Sequence, residues 1–379
     1  MRFCFLASRD WAHPEAAGGD FYLSNLARSL AKRGHKVTYL ASSFGRNSGK
    51  QLVDGIEICR IRPGTLYPVR LFRQYLRIRG SVDVVVEEIF GGKKSPTLAR
   101  LYSGNRLVAA WYQRHERIFA EQYPRGIAKA LSIAEKLLAT IYRGYPVMTL
   151  SDKSARELSQ MGISPARIGI VPSAALMDFP TREEIPPFEK REDSMIFIGK
   201  IRKYKRIDHA IRAVRRLRDS QRPCRLIVAG NVARDDKGYL TGLMGEAHRL
   251  GVDKLVDFKI YPGAIPLREK LDLLRNCKVL LQPSPVEGFS MTTVEANGCG
   301  TPVVVSDGVP RDAVVHGENG LVYPFGDVEA MADRCRELLE NPMLWNTLSE
   351  KGLKMAERFS WDNTADAFEN FVKQQSLAC

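Results

Sequence analysis

The stretch Pro283-Ser284-Pro285-Val286-Glu287-Gly288-Phe289-Ser290-Met291-Thr292-Thr293-Val294-Glu295-Ala296 joins an apolar strand end, a proline-bracketed turn, two carboxylates and a helix opening near Phe289. Free N–H groups at a helix start favour an anion, and Gly288 lets a ligand approach the backbone closely. Glu287 and Glu295 are eight positions apart, just over two helical turns, so an early helix start would put both near one face. One carboxylate could then meet a sugar-like hydroxyl at the mouth and the other a more distant polar group. A carboxylate complementing the helix dipole beside an exposed Glu would give the same spacing.

A second cluster narrows the chemistry. Gly199-Lys200-Ile201-Arg202-Lys203-Tyr204-Lys205-Arg206 follows the apolar run Met195–Ile198 and precedes a helical segment, with five cations in the seven residues from Lys200 to Arg206. Placed at a strand end beside a glycine, such a cluster suits the two negative charges of a diphosphate. The bland alternative is a solvated charge run, which its place next to an anion-ready helix start argues against.

The elements that must hold these groups alternate in type. Strands are expected at Arg2–Ala7, Val37–Ala41, Ile56–Ile61, Val82–Val86, Leu107–Trp111 and Val147–Leu150, with a helix over Asp20–Arg33 ended by Gly34. Thr181–Asp193, rich in charge and following Pro180, reads as a linker. The alternation then restarts: strands at Met195–Ile198, Arg225–Ala229, Lys254–Phe258, Lys278–Gln282 and Val303–Ser306, and helices at Ile207–Arg218, Lys237–Leu250 and Leu267–Asn276. This is the rhythm of two α/β domains with doubly wound parallel sheets, residues 1–185 and 186–360, facing across a cleft. A last helix, about 361–379, carries Trp361, Ala365, Phe368 and Val372 on one face and would pack back onto the first domain.

The 379 residues carry a net charge of +14, divided as +12 over residues 1–185 and +2 over 186–379. The first half is therefore expected to meet something negative. Seven dispersed cysteines, Cys4, Cys59, Cys224, Cys277, Cys299, Cys335 and Cys379, have neither metal-like spacing nor close pairing. They read as free thiols in a reducing cytoplasm. The first residues reach Arg9 and Asp10 too soon for a signal peptide, and no apolar run is long enough to span a bilayer.

Glu287 with Glu295, the Gly199-Lys200…Lys205 pattern, Gly300-Thr301-Pro302-Val303-Val304-Val305-Ser306-Asp307 and Asn319-Gly320-Leu321-Val322 together resemble the retaining GT-B glycosyltransferases of family 4, the glycosyl transferases group 1. The resemblance runs from Gly18-Gly19 to Phe359-Ser360-Trp361 and is most specific in the second domain. It implies a hexosyltransferase with a nucleotide-sugar donor, a UDP- or GDP-sugar; because no Asp-x-Asp motif precedes a suitable strand end, no obligatory metal is expected. Lys200 and Lys205 would neutralise the departing diphosphate, with Lys200 standing where the family more often has Arg. Glu287 would bind donor-sugar hydroxyls, the Gly288, Phe289 and Ser290 segment the sugar and phosphate, and Glu295 the ribose. Gly199, Gly230 and Tyr261 would line the donor, Tyr261 beside the base, while Gly18 and Gly19 would border it from the first domain. Where the family usually has His after the strand ending at Trp111, this chain has Tyr112, with His115 one turn on. A tyrosine with a pKa of about 10 is no neutral-pH base, so either Tyr112 only hydrogen-bonds there or His115 supplies the role. A silent sugar-nucleotide binding protein and a sugar-nucleotide epimerase or phosphorylase on the same fold are the rival readings.

Arg60–Arg79 holds six arginines, no acid and interleaved Leu, Phe and Tyr. A helix from Val69 would align Arg70, Arg73 and Arg77, as an interfacial helix on an anionic membrane would. Lys93, Lys94, Arg100, Arg106 and Arg114 would extend the patch. The expected acceptor is a carbohydrate, lipid-linked or otherwise anionic, and the expected location is cytoplasmic, peripheral on the inner face of the membrane. A helix whose apolar side is simply core is the alternative; nucleic acid is not expected, because no stacking platform accompanies the charge.

Overall fold

The computed structural model describes residues 1–89 and 97–375; Lys93, Lys94 and Cys379 lie outside them. In chain order the strands are β1 (Arg2–Leu6), β2 (Lys36–Ser42), β3 (Gly49–Val53), β4 (Ile56–Ile61), β5 (Val84–Glu88), β6 (Leu107–Ala110), β7 (Val147–Thr149), β8 (Ile168–Ile170), β9 (Glu192–Ile198), β10 (Arg225–Asn231), β11 (Val256–Tyr261), β12 (Cys277–Gln282), β13 (Val303–Ser306) and β14 (Gly320–Tyr323). The helices are α1 (Gly18–Lys32), α2 (Tyr67–Ile78), α3 (Glu116–Gln122), α4 (Arg125–Tyr142), α5 (Asp152–Gln160), α6 (Ile207–Asp219), α7 (Lys237–Arg249), α8 (Leu267–Asn276), α9 (Met291–Gly298), α10 (Val328–Glu340), α11 (Pro342–Ala356) and α12 (Trp361–Gln374).

The chain forms two compact units. One holds Met1–Arg114, Ile133–Ala174 and Ser360–Cys379, the other His115–Ser132 and Ala175–Phe359. Where the sequence reading divides the chain at 185/186, the contacts divide it at 174/175 and assign His115–Ser132 to the second unit.

The first unit contains an eight-stranded sheet in the order β3-β4-β2-β1-β5-β6-β7-β8. All its neighbours run parallel except β3, which pairs antiparallel with β4. The β3–β4 hairpin turns at Asp54 and Gly55, both at positive φ (51° and 76°), as a two-residue hairpin demands. Phe3–Leu6 of β1 and Val84–Val86 of β5 are buried, apolar and flanked by strands on both sides, which is why they read as apolar runs. α12 packs on α1, burying Ala365, Phe368, Phe371 and Val372.

The second unit contains a six-stranded parallel sheet ordered β11-β10-β9-β12-β13-β14. The chain starts in the middle, winds outward, then reverses at β9/β12, the Rossmann order. β14 is a strand beyond the series expected from sequence. One apolar cluster under α6, α7, α10 and α11 fixes this sheet.

Thr181–Asp193 is not a free linker. Arg191 is buried and its guanidinium donates to the carbonyls of Pro186, Cys277, Cys299 and Gly300 and to the Thr301 hydroxyl at 2.6–3.1 Å. Phe188 packs on Trp345. One of the charges that make this stretch look solvated, the Arg191 guanidinium, instead caps carbonyls at the end of α8 and after α9.

Candidate active site

In an open α/β sheet the crevice at the carboxyl ends of the strands, where strand order reverses, is the place a ligand can enter. In the second unit that point lies between β9 and β12. The cationic turn follows β9 and the Pro283–Ser290 turn follows β12, and the fold joins them: Lys205 Nζ lies 2.6 Å from Glu287 Oε1. Gln282, the last residue of β12, donates its amide to the same oxygen at 2.7 Å. Both side chains of the ion pair are about seven-eighths buried. Burial alone would lower the Lys205 pKa, but Glu287 and Tyr204 beside it outweigh that and hold the ammonium above its ordinary value. Lys205 is thus a fixed positive charge at a strand-end crevice.

Two glycines shape this crevice. A Cβ on Gly230 would lie 1.8 Å from the Gly199 carbonyl oxygen, so the turns after β9 and β10 approach only because residue 230 has no side chain. A Cβ on Gly308 would meet the backbone of Ser284 and Pro285 at 2.5 Å. The Glu287 amide donates to the Gly308 carbonyl at 3.2 Å, which holds the Pro283–Glu287 turn against the strand after it.

The helix start differs from the expectation. α9 begins at Met291, with Ser290 before it in the left-handed region (φ 78°), so Glu287 lies in the turn and not on the helix. Glu287 and Glu295 therefore do not share a helical face. Glu295 is fully buried, paired with the Lys270 ammonium of α8 and accepting the Leu176 amide at 3.3 Å. Phe289 points inward onto Phe359, with ring centroids 5.0 Å apart. Gly288 and Ser290 flank it, and the Ser290 hydroxyl is buried without a hydrogen-bond partner.

The five cations of the β9 turn go to different places. Arg202 pairs with Asp236 at 3.4 Å, and Arg206 with Asp208 at 2.9 Å and with Glu121 of α3 at 3.1 Å. Lys200, directly after Gly199, is half-buried. Tyr261 ends β11 and donates its hydroxyl to Glu269 at 2.5 Å; burial and that carboxylate push its pKa up to about 12. Lys270, Gln282, Gly308 and Glu121 were not singled out from sequence. Gln282 reaches Glu287 across the turn after β12, five positions on, while Glu121 meets a partner 85 positions away that only the fold brings near.

In the first unit the reversal lies between β1 and β5. Ser8, after β1, donates its amide to Glu88, the last residue of β5, at 3.1 Å. Gly18 opens α1, and Gly19 lies under Tyr112: a Cβ there would be 2.6 Å from the tyrosine ring. The Tyr112 hydroxyl is 3.4 Å from both the Gly19 carbonyl and Glu88 Oε1. Burial, then Glu88, raises the Tyr112 pKa well above its ordinary value, so the hydroxyl stays protonated. His115 precedes α3, stacks on Phe119 and groups with the second unit. The structure brings Tyr112 to Gly19.

Two doubly wound, Rossmann-like units, each with a strand-order reversal, are the architecture of the GT-B fold. Residues 178–355 match the family model of the glycosyl transferases group 1. A D-inositol 3-phosphate glycosyltransferase of Gordonia bronchialis is 32% identical over 57% of this chain and 49% of its own length. One from Kribbella flavida is 26% identical over 93% of this chain and 89% of its own. The match to the Gordonia protein thus spans about half of that relative's length. Among solved structures, sucrose-phosphate synthase from Thermosynechococcus elongatus has a TM-score of 0.76 at 17% identity, covering 100% and 99% of the two chains. Anabaena HepE in complex with UDP and glucose has a TM-score of 0.76 at 16% identity, covering 98% and 99%. These two likenesses show the fold.

Proposed function

We propose that the protein transfers a sugar, with retention of anomeric configuration, from a nucleotide-sugar to a carbohydrate acceptor that is lipid-linked or otherwise anionic. The observation that carries this reading is the buried Lys205–Glu287 pair at the β9/β12 switch point. An incoming donor would divide the pair: the diphosphate takes the ammonium, and the donor-sugar hydroxyls take the carboxylate. Lys200 adds a second cation, and the Gly288–Ser290 backbone adds donors. The C1–oxygen bond to the diphosphate breaks and a bond from C1 to the acceptor oxygen forms on the same face. The acceptor proton passes to the departing phosphate. Negative charge grows on that phosphate as the bond breaks, so cations fixed beforehand stabilise the transition state more than the ground state.

Gly230, Gly199 and Tyr261 would border the nucleotide, Glu295 its ribose, and Gly18, Gly19 and Tyr112 the sugar and acceptor. Because Glu295 is already paired with Lys270, binding the ribose would require it to share or exchange that partner. The UDP in the HepE structures supports uridine over guanosine as the base. The relatives named for D-inositol 3-phosphate support an acceptor with negative charge, to be met by the basic first half at the cytoplasmic membrane face. Among the described residues no cluster of three or more His, Cys, Asp or Glu side chains is placed to hold a metal, and no helix is long and apolar enough to cross a membrane.

Lys205→Ala and Glu287→Gln test the assignment. Each should lower transfer from UDP-glucose by on the order of 10²-fold or more, with Lys205→Ala also weakening UDP binding measured by calorimetry. Turnover within a factor of about two of the parent in both variants would refute the site.

A further inference from the structure

α2 and the second half of α4 cover the same face of the eight-stranded sheet. Tyr67, Leu71 and Tyr75 of α2 share one apolar cluster with Leu138, Ala139 and Tyr142 of α4, and Ala99, in the short turn Ala99–Leu101, joins it. The ridges opposite these buried faces therefore point outward on one side of the first unit, and they are not polar. Val69 and Leu76 stand exposed on α2 with Leu66 just before it, Leu101 on the turn, and Ile133 and Leu137 on α4; Leu101 is 67% and Leu137 62% exposed. Most of the large apolar side chains that this unit leaves exposed lie on this one layer.

The charges among them have a single sign. Arg62, Arg73, Arg77, Arg79 and Lys136 are exposed. No Asp or Glu occurs between Arg62 and Val82 or between Thr97 and Ala110, and Glu135, the acid within the outward half of α4, is buried. A solvated surface would interleave acids here, and an ordinary core-facing helix would have a polar outer face.

Three partners could cover such a face. Nucleic acid would meet the arginines but leave six large apolar side chains against phosphates. A second copy docked through the same face would set Arg73 and Arg77 against their own symmetry mates. An anionic bilayer accepts both kinds of group, apolar side chains among the headgroups and guanidiniums at the phosphates. We propose that this three-element layer docks the first unit on an anionic lipid surface, with Leu76, Leu101 and Leu137 entering the headgroup region. This deepens the reading of a lipid-linked acceptor given above. It replaces a single basic helix by a broad layer whose apolar residues anchor it and whose cations select the lipid. Each cation brought to such a surface is worth roughly fivefold in partitioning.

The test uses the full chain with vesicles of phosphatidylcholine alone and of phosphatidylcholine with phosphatidylglycerol, read by sedimentation. The parent should bind the anionic vesicles and not the neutral ones. Leu76→Asp, Leu101→Asp and Leu137→Asp, all surface changes that leave the core intact, should each weaken binding by about tenfold. Their UDP affinity and their transfer to a water-soluble acceptor should match the parent. Equal binding to both vesicle types, no binding, or anionic binding that all three variants retain would overturn the proposal. So would a concentration-dependent dimer that the variants abolish. Vesicle binding by a chain that binds no nucleotide-sugar would sink the glycosyltransferase reading while leaving the lipid face standing.

Discussion

Glu88 closes β5 in a place where its charge is costly. It is fully buried, and burial together with the Asp20 carboxylate raises its pKa from an ordinary 4.5 to about 8. The Arg9 guanidinium, the Ser8 amide and the Tyr112 hydroxyl oppose that rise only in part. The folded state therefore holds a proton that the unfolded chain gives up near pH 4.5. The resulting stabilisation is present below that pH and is lost as the pH rises towards and through 8. Glu88→Gln keeps a neutral hydrogen-bonding group and removes the titration. Between about pH 6 and about pH 9 its melting temperature should rise relative to the parent; parallel melting curves over that range would contradict the burial argument. Lys205 and Glu287 were legible at this scale because a strand end, a glycine and a local run of charge mark each of them. Lys270, which takes up Glu295, was not: a lysine on an amphipathic helix looks the same whether it faces water or a buried carboxylate.

At the scale of elements, the strands that carry the crevice were legible because the buried part of a parallel strand is an apolar run, as in Met195–Ile198 of β9 and Val279–Leu281 of β12. The elements missed are those whose apolar signal is weak. β3 is mostly exposed and carries only Leu52 and Val53 as apolar residues, and only Asp54-Gly55 announces its hairpin. Arg60, read as part of an exposed basic stretch, lies inside β4 and is buried on Asp10 at 2.6 Å. Thr181–Asp193 looked like a linker because nothing local reveals that Arg191 would collect carbonyls from distant segments. Close approach of elements gives a sharper test. Gly230→Ala must push the turn after β10 off the Gly199 carbonyl, and should cost about 3 kcal/mol in urea unfolding and weaken UDP binding as the β9 turn moves. Gly245→Ala, in the middle of α7 with nothing within 4 Å of the new methyl, should instead stabilise by roughly 0.5–1 kcal/mol. Equal effects of the two would mean that the 199–230 contact is slack.

For the whole molecule, the path of the chain matters as much as its charge. The chain passes from one compact unit to the other after Arg114, Ser132, Ala174 and Phe359, so neither unit is one continuous segment, which the alternation of strands and helices could not reveal. The passage at Arg114 follows directly from β6 and Tyr112, and it delivers α3 to the second unit. There Glu121 pairs with Arg206 at 3.1 Å, Gln122 donates to Asp236 at 3.3 Å, and Arg117 donates to the Pro285 carbonyl at 3.4 Å. Arg206 and Asp236 belong to the turns after β9 and β10, and Pro285 to the turn carrying Glu287. α3 therefore braces the same three turns that form the candidate donor site, with Lys205 next to the residue it grips. Burial lowers the Arg206 pKa less than Asp208 and Glu121 raise it, so the guanidinium remains charged when α3 is altered. Replacing Glu121 and Gln122 together by Ala leaves Arg206 with Asp208 alone. Because these groups are partly exposed and screened, the loss of stability should be only about 1 kcal/mol. The larger consequence should appear in function: with its brace gone, the β9 turn samples more positions, UDP affinity falls, and transfer falls with it. Ala120→Ser, at an exposed position of the same helix, is the control and should leave both unchanged. A double variant that loses stability but keeps the parent's UDP affinity would show that α3 is packing only and that the Lys205 turn holds itself in place.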